Sequence, residues 1–188
     1  MASEIAFLRA VNVGGRATLA MSAIRRIFES AGCPDVRTYI QSGNVIYRAP
    51  RSAGAALRRR IGRDLAGHIG HEVGVAYRAV RDLQRASDAA PFHSMEDDPD
   101  VKLCVGFLIA TPKRMPRLPL SSPRDGLEVT RMTKREVFVV SRSIKGRYGF
   151  PNNLIEKGLG VPATTRNWNT VRKILALATG GPDRRPGS

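Results

Sequence analysis

The chain has 188 residues, 42% of them hydrophobic, enough to build a core in one large domain or two small ones. Its formal charge of +15 would attract phosphates, nucleic acid or an anionic membrane surface, but it is spread over both halves of the chain, and its arginine-rich makeup equally fits a GC-rich genome. No apolar run approaches the roughly 20 residues of a membrane-spanning helix, and the two cysteines, Cys33 and Cys104, lie too far apart in sequence for a disulfide framework or a metal-type spacing.

Residues 5–10, Ile-Ala-Phe-Leu-Arg-Ala, read as a buried strand, followed by a loop through Asn12, Gly14, Gly15 and Arg16. Ile24, Ile27, Phe28 and Ala31 then fall at helical spacing, with Ser22 as the expected cap and Gly32 and Pro34 as stop signals. Residues 36–48 carry two β-branched and aromatic runs joined at Ser42 and Gly43, a hairpin signal. A two-residue loop there would oppose Gln41 to Asn44, Ile40 to Val45, Tyr39 to Ile46 and Thr38 to Tyr47. Val36, Thr38, Ile40, Val45 and Tyr47 would then form a core face. Gln41 and Asn44 would stand at the tip.

Ser52 is placed to cap a second helix with Leu57, Ile61, Leu65 and Ile69 as its buried stripe. Residues 73–77 read as a strand. The order β-α-β-β-α-β predicts a ferredoxin-like arrangement, two helices on one face of a four-stranded antiparallel sheet. A short helix near 80–86 leads into the acidic run Glu96, Asp97, Asp98 and Asp100, which sets the expected boundary between a domain 1–95 and a domain 96–179.

Residues 101–109 are a strong strand signal, the Pro-rich segment 111–123 takes the place of a helix, and 126–130 with 136–141 suggest a second hairpin. Short helices near 153–157 and 167–179 follow, the latter with Trp168, Val171, Leu175 and Ala178 on one face. The second half thus reads as a degenerate copy of the first, its last strand missing or replaced. The expected class is α+β with two ferredoxin-like (βαββαβ) halves, and residues 180–188, rich in Gly, Pro and Arg, read as a flexible tail.

All six Asn fall in loop stretches: Asn12, Asn44, Asn152, Asn153, Asn167 and Asn169. Caps and turns account for many such residues. The functional reading is a polar pocket between the halves, built from Arg9, Asn12, Gly14, Gly15, Arg16, Gln41, Asn44, Arg166, Asn167 and Asn169. Backbone N–H groups at Gly14 and Gly15 and at the start of the last helix would meet an anion together with the cations. Residues 145–150, Lys-Gly-Arg-Tyr-Gly-Phe, are basic and aromatic, which suits stacking and phosphate contact as well as an ordinary connection.

Catalytic signatures are sparse. His68, His71 and Glu72 lack a further metal ligand, Cys33 reads as a packing residue, and neither a metal nor a cofactor is expected.

Residues 6–15, residues 36–47 (VRTYIQSGNVIY), Ala90-Pro91-Phe92 and residues 159–171 (LGVPATTRNWNTV) closely resemble the bacterial domain of unknown function family 1697. The resemblance spans nearly the whole chain and implies an α+β protein with two ferredoxin-like halves, without implying a reaction. Ala10 stands where the family usually has Gly, and Lys145-Gly146-Arg147-Tyr148 departs from its Gly-Arg-Ser-Lys-like wording.

The expected function is binding of a phosphate-bearing or otherwise anionic ligand, a small molecule or nucleic acid. One alternative is an enzyme on a small phosphorylated or nucleotide-like substrate, with Tyr148 or His93 carrying a proton. The other is a structural or partner-binding module. No membrane association is expected, the protein should be a monomer or weak dimer, and Glu4, where a signal peptide needs basic residues, together with the cysteine usage points to the cytoplasm.

Overall fold

The computed structural model describes residues 2–9, 11, 19–50, 54–92, 95 and 98–180. By its internal contacts the chain divides into two compact units, Met1–Gln84 with Lys173–Ser188, and Arg85–Arg172.

The first unit runs β1 (Ala2–Leu8), α1 (Met21–Ser30), β2 (Arg37–Tyr39), β3 (Asn44–Ala49), α2 (Gly54–Ile69) and β4 (Val75–Ala79), followed by the start of α3 (Val80–Asp88). Its strands pair antiparallel in the order β2-β3-β1-β4. Alternation along the pleat sends Ala6, Leu8, Val45 and Tyr47 to one face, where Ile24, Ile27 and Phe28 of α1 and Leu57, Ile61 and Leu65 of α2 close over them. Phe28 meets Tyr47 edge-to-face at 5.0 Å between ring centres.

The hairpin departs from its expected register. Tyr39 opposes Asn44, Thr38 opposes Val45 and Arg37 opposes Ile46, so four residues rather than two make the loop. The slip is by two residues, an even number, so Val36, Thr38, Val45 and Tyr47 still share a face. Ile40 leaves the sheet, half exposed and with a φ of 50°. The reason lies in β1: Leu8 N–H donates to Gly43 O at 2.8 Å, and a Cβ on Gly43 would lie 2.9 Å from Leu8 Cβ. Gly43, with a φ of +73°, is the residue that lets the loop pass this close. Inside the loop Asn44 Nδ2 donates to Tyr39 O at 3.0 Å and to Ser42 Oγ at 2.8 Å.

One helix end also differs from expectation. Helix α1 begins one residue before Ser22, with Ala20 at the capping position and no side-chain cap, so Ser22 lies inside the helix. Ser52 lies outside the described residues, as do residues 181–188 of the expected tail.

The second unit holds β5 (Val101–Leu108), β6 (Leu120–Ser122), β7 (Leu127–Met132), β8 (Glu136–Arg142), α4 (Pro151–Leu159), β9 (Ala163–Asn167) and the first residues of α5 (Trp168–Ala178). The sheet order is β6-β7-β8-β5-β9, all antiparallel. The last strand is present where a helix entrance was expected: residues 163–167 pair with 104–108 of β5. A short strand, β6, also forms inside the Pro-rich segment.

Cys104, Leu108, Val129, Val137 and Val139 pack on one face against Ile155 and Leu159 of α4. Gly106 makes room for this, since a Cβ there would lie 2.4 Å from Ile155 Cδ1. Helix α4 starts at Pro151, earlier than expected, because proline suits a first helical position whose N–H has no partner. On the opposite face Phe92 meets Phe138 at 5.7 Å and Trp168 at 5.5 Å, both edge-to-face, which makes Trp168 a core residue.

Gly43→Ala should destabilise the protein by about 1–3 kcal/mol, through left-handed backbone strain and the contact with Leu8. Urea unfolding measures this, and an unchanged midpoint would refute the account of the hairpin.

Candidate anion-binding site

Strand β9 pairs with β5 only as far as Asn167 opposite Cys104, and α5 begins at the next residue. Residues 101–103 of β5 therefore extend beyond the end of the ladder and look onto the first turn of α5. The space between is a pocket of about 440 Å3, lined by Lys102, Asn167, Asn169, Thr170 and Arg172 with the walls Val101, Leu103 and Trp168.

An α-helix leaves its first N–H groups without intrahelical carbonyls and carries a partial positive charge at that end. Helix α5 presents this end to the pocket through Asn169 and Thr170. Lys102 has no ion-pair partner among the described residues, and its Nζ sits 3.8 Å from the centre of the Tyr148 ring. Asn167 Oδ1 accepts a weak hydrogen bond from Cys104 Sγ at 3.5 Å. Burial pushes the Cys104 thiol up to about 11, against the pull of the Lys102 charge, so it is a thiol and not a thiolate near neutrality.

The residues singled out in the sequence fall in both units. Asn167 and Asn169 line this pocket together. Arg166 does not join them, because neighbouring residues of a strand point to opposite faces. It is buried, donating from one guanidinium nitrogen to Thr164 Oγ1 and Thr165 O at 2.8 Å each, and burial lowers its pKa to about 10. Arg9, Gln41 and Asn44 belong to the first unit. Arg9 is half-buried with its N–H on Gly74 O at 2.8 Å, Gln41 is exposed in the hairpin loop, and Asn44 is buried with its amide on loop acceptors. Asn12, Gly14, Gly15, Arg16 and His93 lie outside the described residues.

Asn152 fastens β9 to α4, donating to Ala163 O at 3.2 Å and accepting from Thr165 Oγ1. Asn153 lines a separate pocket of about 420 Å3 beside β6. The sequence reading missed Lys102, Thr170 and Arg172. Thr170 and Arg172 follow directly on the Asn-Trp-Asn signal, whereas a single Lys in a strand gives none.

Two pockets of the first unit are less suited to an anion. One, of about 730 Å3, carries Arg25, Arg37 and Arg48, but Glu29 and Asp35 line it too, pairing with Arg25 at 2.7 Å and Arg48 at 3.4 Å. The other, of about 520 Å3, includes Glu4 and Arg58. Glu4 accepts from Tyr47 Oη at 2.7 Å and from Arg58 at 3.2 Å, and the Arg58 guanidinium lies over the Tyr77 ring at 4.9 Å. Burial, reinforced for Tyr47 by Glu4, drives both tyrosines well above the usual phenol range, and burial followed by Glu4 lifts Cys33 to about 11. This is a fastening of β1, β3, β4 and α2. Among the described residues no group of three or more His, Cys, Asp or Glu is gathered for a metal ion, and no helix is long and apolar enough to cross a membrane.

Two antiparallel sheets and five α-helices among the described residues define an α+β protein. The model of the family described as "Protein of unknown function (DUF1697)" matches residues 1–138, and the chain belongs to that family. Its structure is similar to that of the conserved bacterial protein SP0830 from Streptococcus pneumoniae, with a TM-score of 0.66 and 19% identity, covering 95% of this chain and 99% of that one. At that identity the likeness concerns the fold alone. No curated protein matches significantly in sequence.

Stability should be complete below about pH 9 and fall as pH rises toward 11. The folded chain holds the protons of Cys33 and Cys104 more tightly than the unfolded chain, whose thiols release them near 9.0, and the tyrosines add to the loss above about pH 10. Urea midpoints across this range measure it, and a flat profile would contradict the buried placement of these groups.

Proposed function

We propose that this protein binds a phosphate-bearing or carboxylate-bearing small ligand in the pocket at the start of α5. The observation that carries this reading is the gathering of Lys102, Arg172, Asn167, Asn169 and Thr170 around one 440 Å3 space that a helix N-terminus also faces. An anion there would receive charge-assisted hydrogen bonds from Lys102 and from backbone N–H groups. The polar part of the lining consists of donors, cations and amides, and Cys104 beside it is protonated, so the site suits holding a ligand better than moving protons. For the architecture around it, we read the first unit as ferredoxin-like, on the strength of its antiparallel β2-β3-β1-β4 order with two helices on one face.

Calorimetric titration with inorganic pyrophosphate and nucleoside phosphates tests the reading. Lys102→Ala should weaken binding by about tenfold or more, the worth of one charged hydrogen bond, while Arg37→Ala in the first unit should leave it unchanged. Equal losses from both variants would mean diffuse charge attraction, and no heat with any anion would remove the site.

A further inference from the structure

Residues 144–147 form a tight reverse turn. Ile144 N–H donates to Arg147 O at 2.8 Å and Arg147 N–H donates back to Ile144 O at 3.1 Å, with Lys145 and Gly146 between them at φ of 51° and 76°. Two successive positive φ values closed by reciprocal bonds describe the type I′ turn, the two-residue connection whose twist matches that of paired strands. A lysine in the left-handed region is strained by about 1 kcal/mol, so the surroundings must hold it there. They do so by close approach at two glycines. A Cβ on Gly126 would lie 2.3 Å from Arg142 O, and one on Gly149 would lie 2.4 Å from Asp125 O.

This arm carries an uncommon set of side chains. Lys145 and Arg147 are exposed and have no ion-pair partner among the described residues. Phe150 is 62% exposed, more than any other large apolar side chain described, and Ile144 is 41% exposed. Leaving an aromatic ring in water forgoes the stabilisation that covering it would give. Tyr148, in the same arm, holds the Lys102 ammonium against its ring, and Lys102 also lines the pocket at α5. Anion pocket and basic aromatic arm are therefore joined through one lysine.

We infer that this face of the second unit docks single-stranded nucleic acid, one phosphate lying in the pocket and a base stacking on Phe150. The inference rests on the pocket reading above and names its ligand class. Charge complementarity selects the partner: a flat apolar base between phosphates matches an exposed ring in a segment that also carries Lys145 and Arg147 and holds Lys102 through Tyr148. An anionic bilayer fits less well, because the tip of the turn is Lys145 and Gly146, so the apolar side chains do not lead. Stacking is tolerant of sequence, so binding should discriminate little among bases.

Fluorescence anisotropy with labelled single-stranded RNA and DNA of about ten nucleotides tests it. Binding should weaken steeply with salt, and Lys145→Ala and Arg147→Ala should each flatten that dependence by about one ion. Phe150→Ala should weaken oligonucleotide binding by about tenfold and Phe150→Trp should restore it, with pyrophosphate affinity unchanged in both. Lys102→Ala should weaken both ligands.

If pyrophosphate binds and oligonucleotides do not, or if Phe150→Ala changes nothing, the inference falls while the pocket stands. If neither ligand binds, both fall. If Phe150→Ala instead abolishes binding to vesicles of anionic phospholipid while leaving oligonucleotide affinity intact, the face belongs to a membrane surface and the inference is overturned.

Discussion

The second unit depends on where one hydrogen-bond ladder stops. Strand β9 follows β5 for five residue pairs and ends at Asn167, while β5 continues for three residues in the other direction. At that step the chain turns directly into α5, so a strand edge and a helix N-terminus come to face each other. Both are rows of backbone groups whose usual partners have run out. The pocket, its helix dipole and its pair of asparagines all follow from the ladder being shorter than the strand it pairs with.

Burial sorts similar side chains into different roles around this step. Asn44 and Asn152 spend their amides on neighbouring backbone and hydroxyl groups, fixing a hairpin loop and the β9–α4 junction. An amide left unpaired at the buried position of Asn44 would be costly, so there it serves the fold. Asn169 is exposed, and its side chain has no hydrogen-bond partner among the described residues. Arg166 is buried and tied to Thr164 and Thr165, whereas Arg172 lines the pocket.

Much of the scaffold was legible because hydrophobic period and turn residues speak plainly for α1, α2, β5 and the β7–β8 hairpin. The face assignment of the first hairpin survived a register slip because the slip was even, although nothing local reveals that Leu8 would pin Gly43. Strand β9 was hidden because Ala-Thr-Thr-Arg-Asn is polar and Thr and Asn also read as caps. Its strand character comes from pairing with β5, a long-range fact. For the site, the Asn-Trp-Asn sequence gave the helix start and two of its lining residues. The grouping of Arg166 with Asn167 placed both at a helix entrance, whereas the pleat of a strand sends them to opposite faces. Lys102 could not be found from sequence, because its position opposite α5 is set by the β5–β9 register.

The net charge of +15 becomes more informative once it is placed. Several surface arginines are matched by carboxylates in the first unit, whereas Lys102, Lys145 and Arg147 of the second unit are not matched by any described acid. The direct test is to follow the backbone amide resonances of the labelled protein during a pyrophosphate titration. The account predicts that the largest saturable shifts fall on residues 101–103 and 167–172. Shifts centred instead on Arg25, Arg37 and Arg48, or spread evenly over every basic surface, would contradict it.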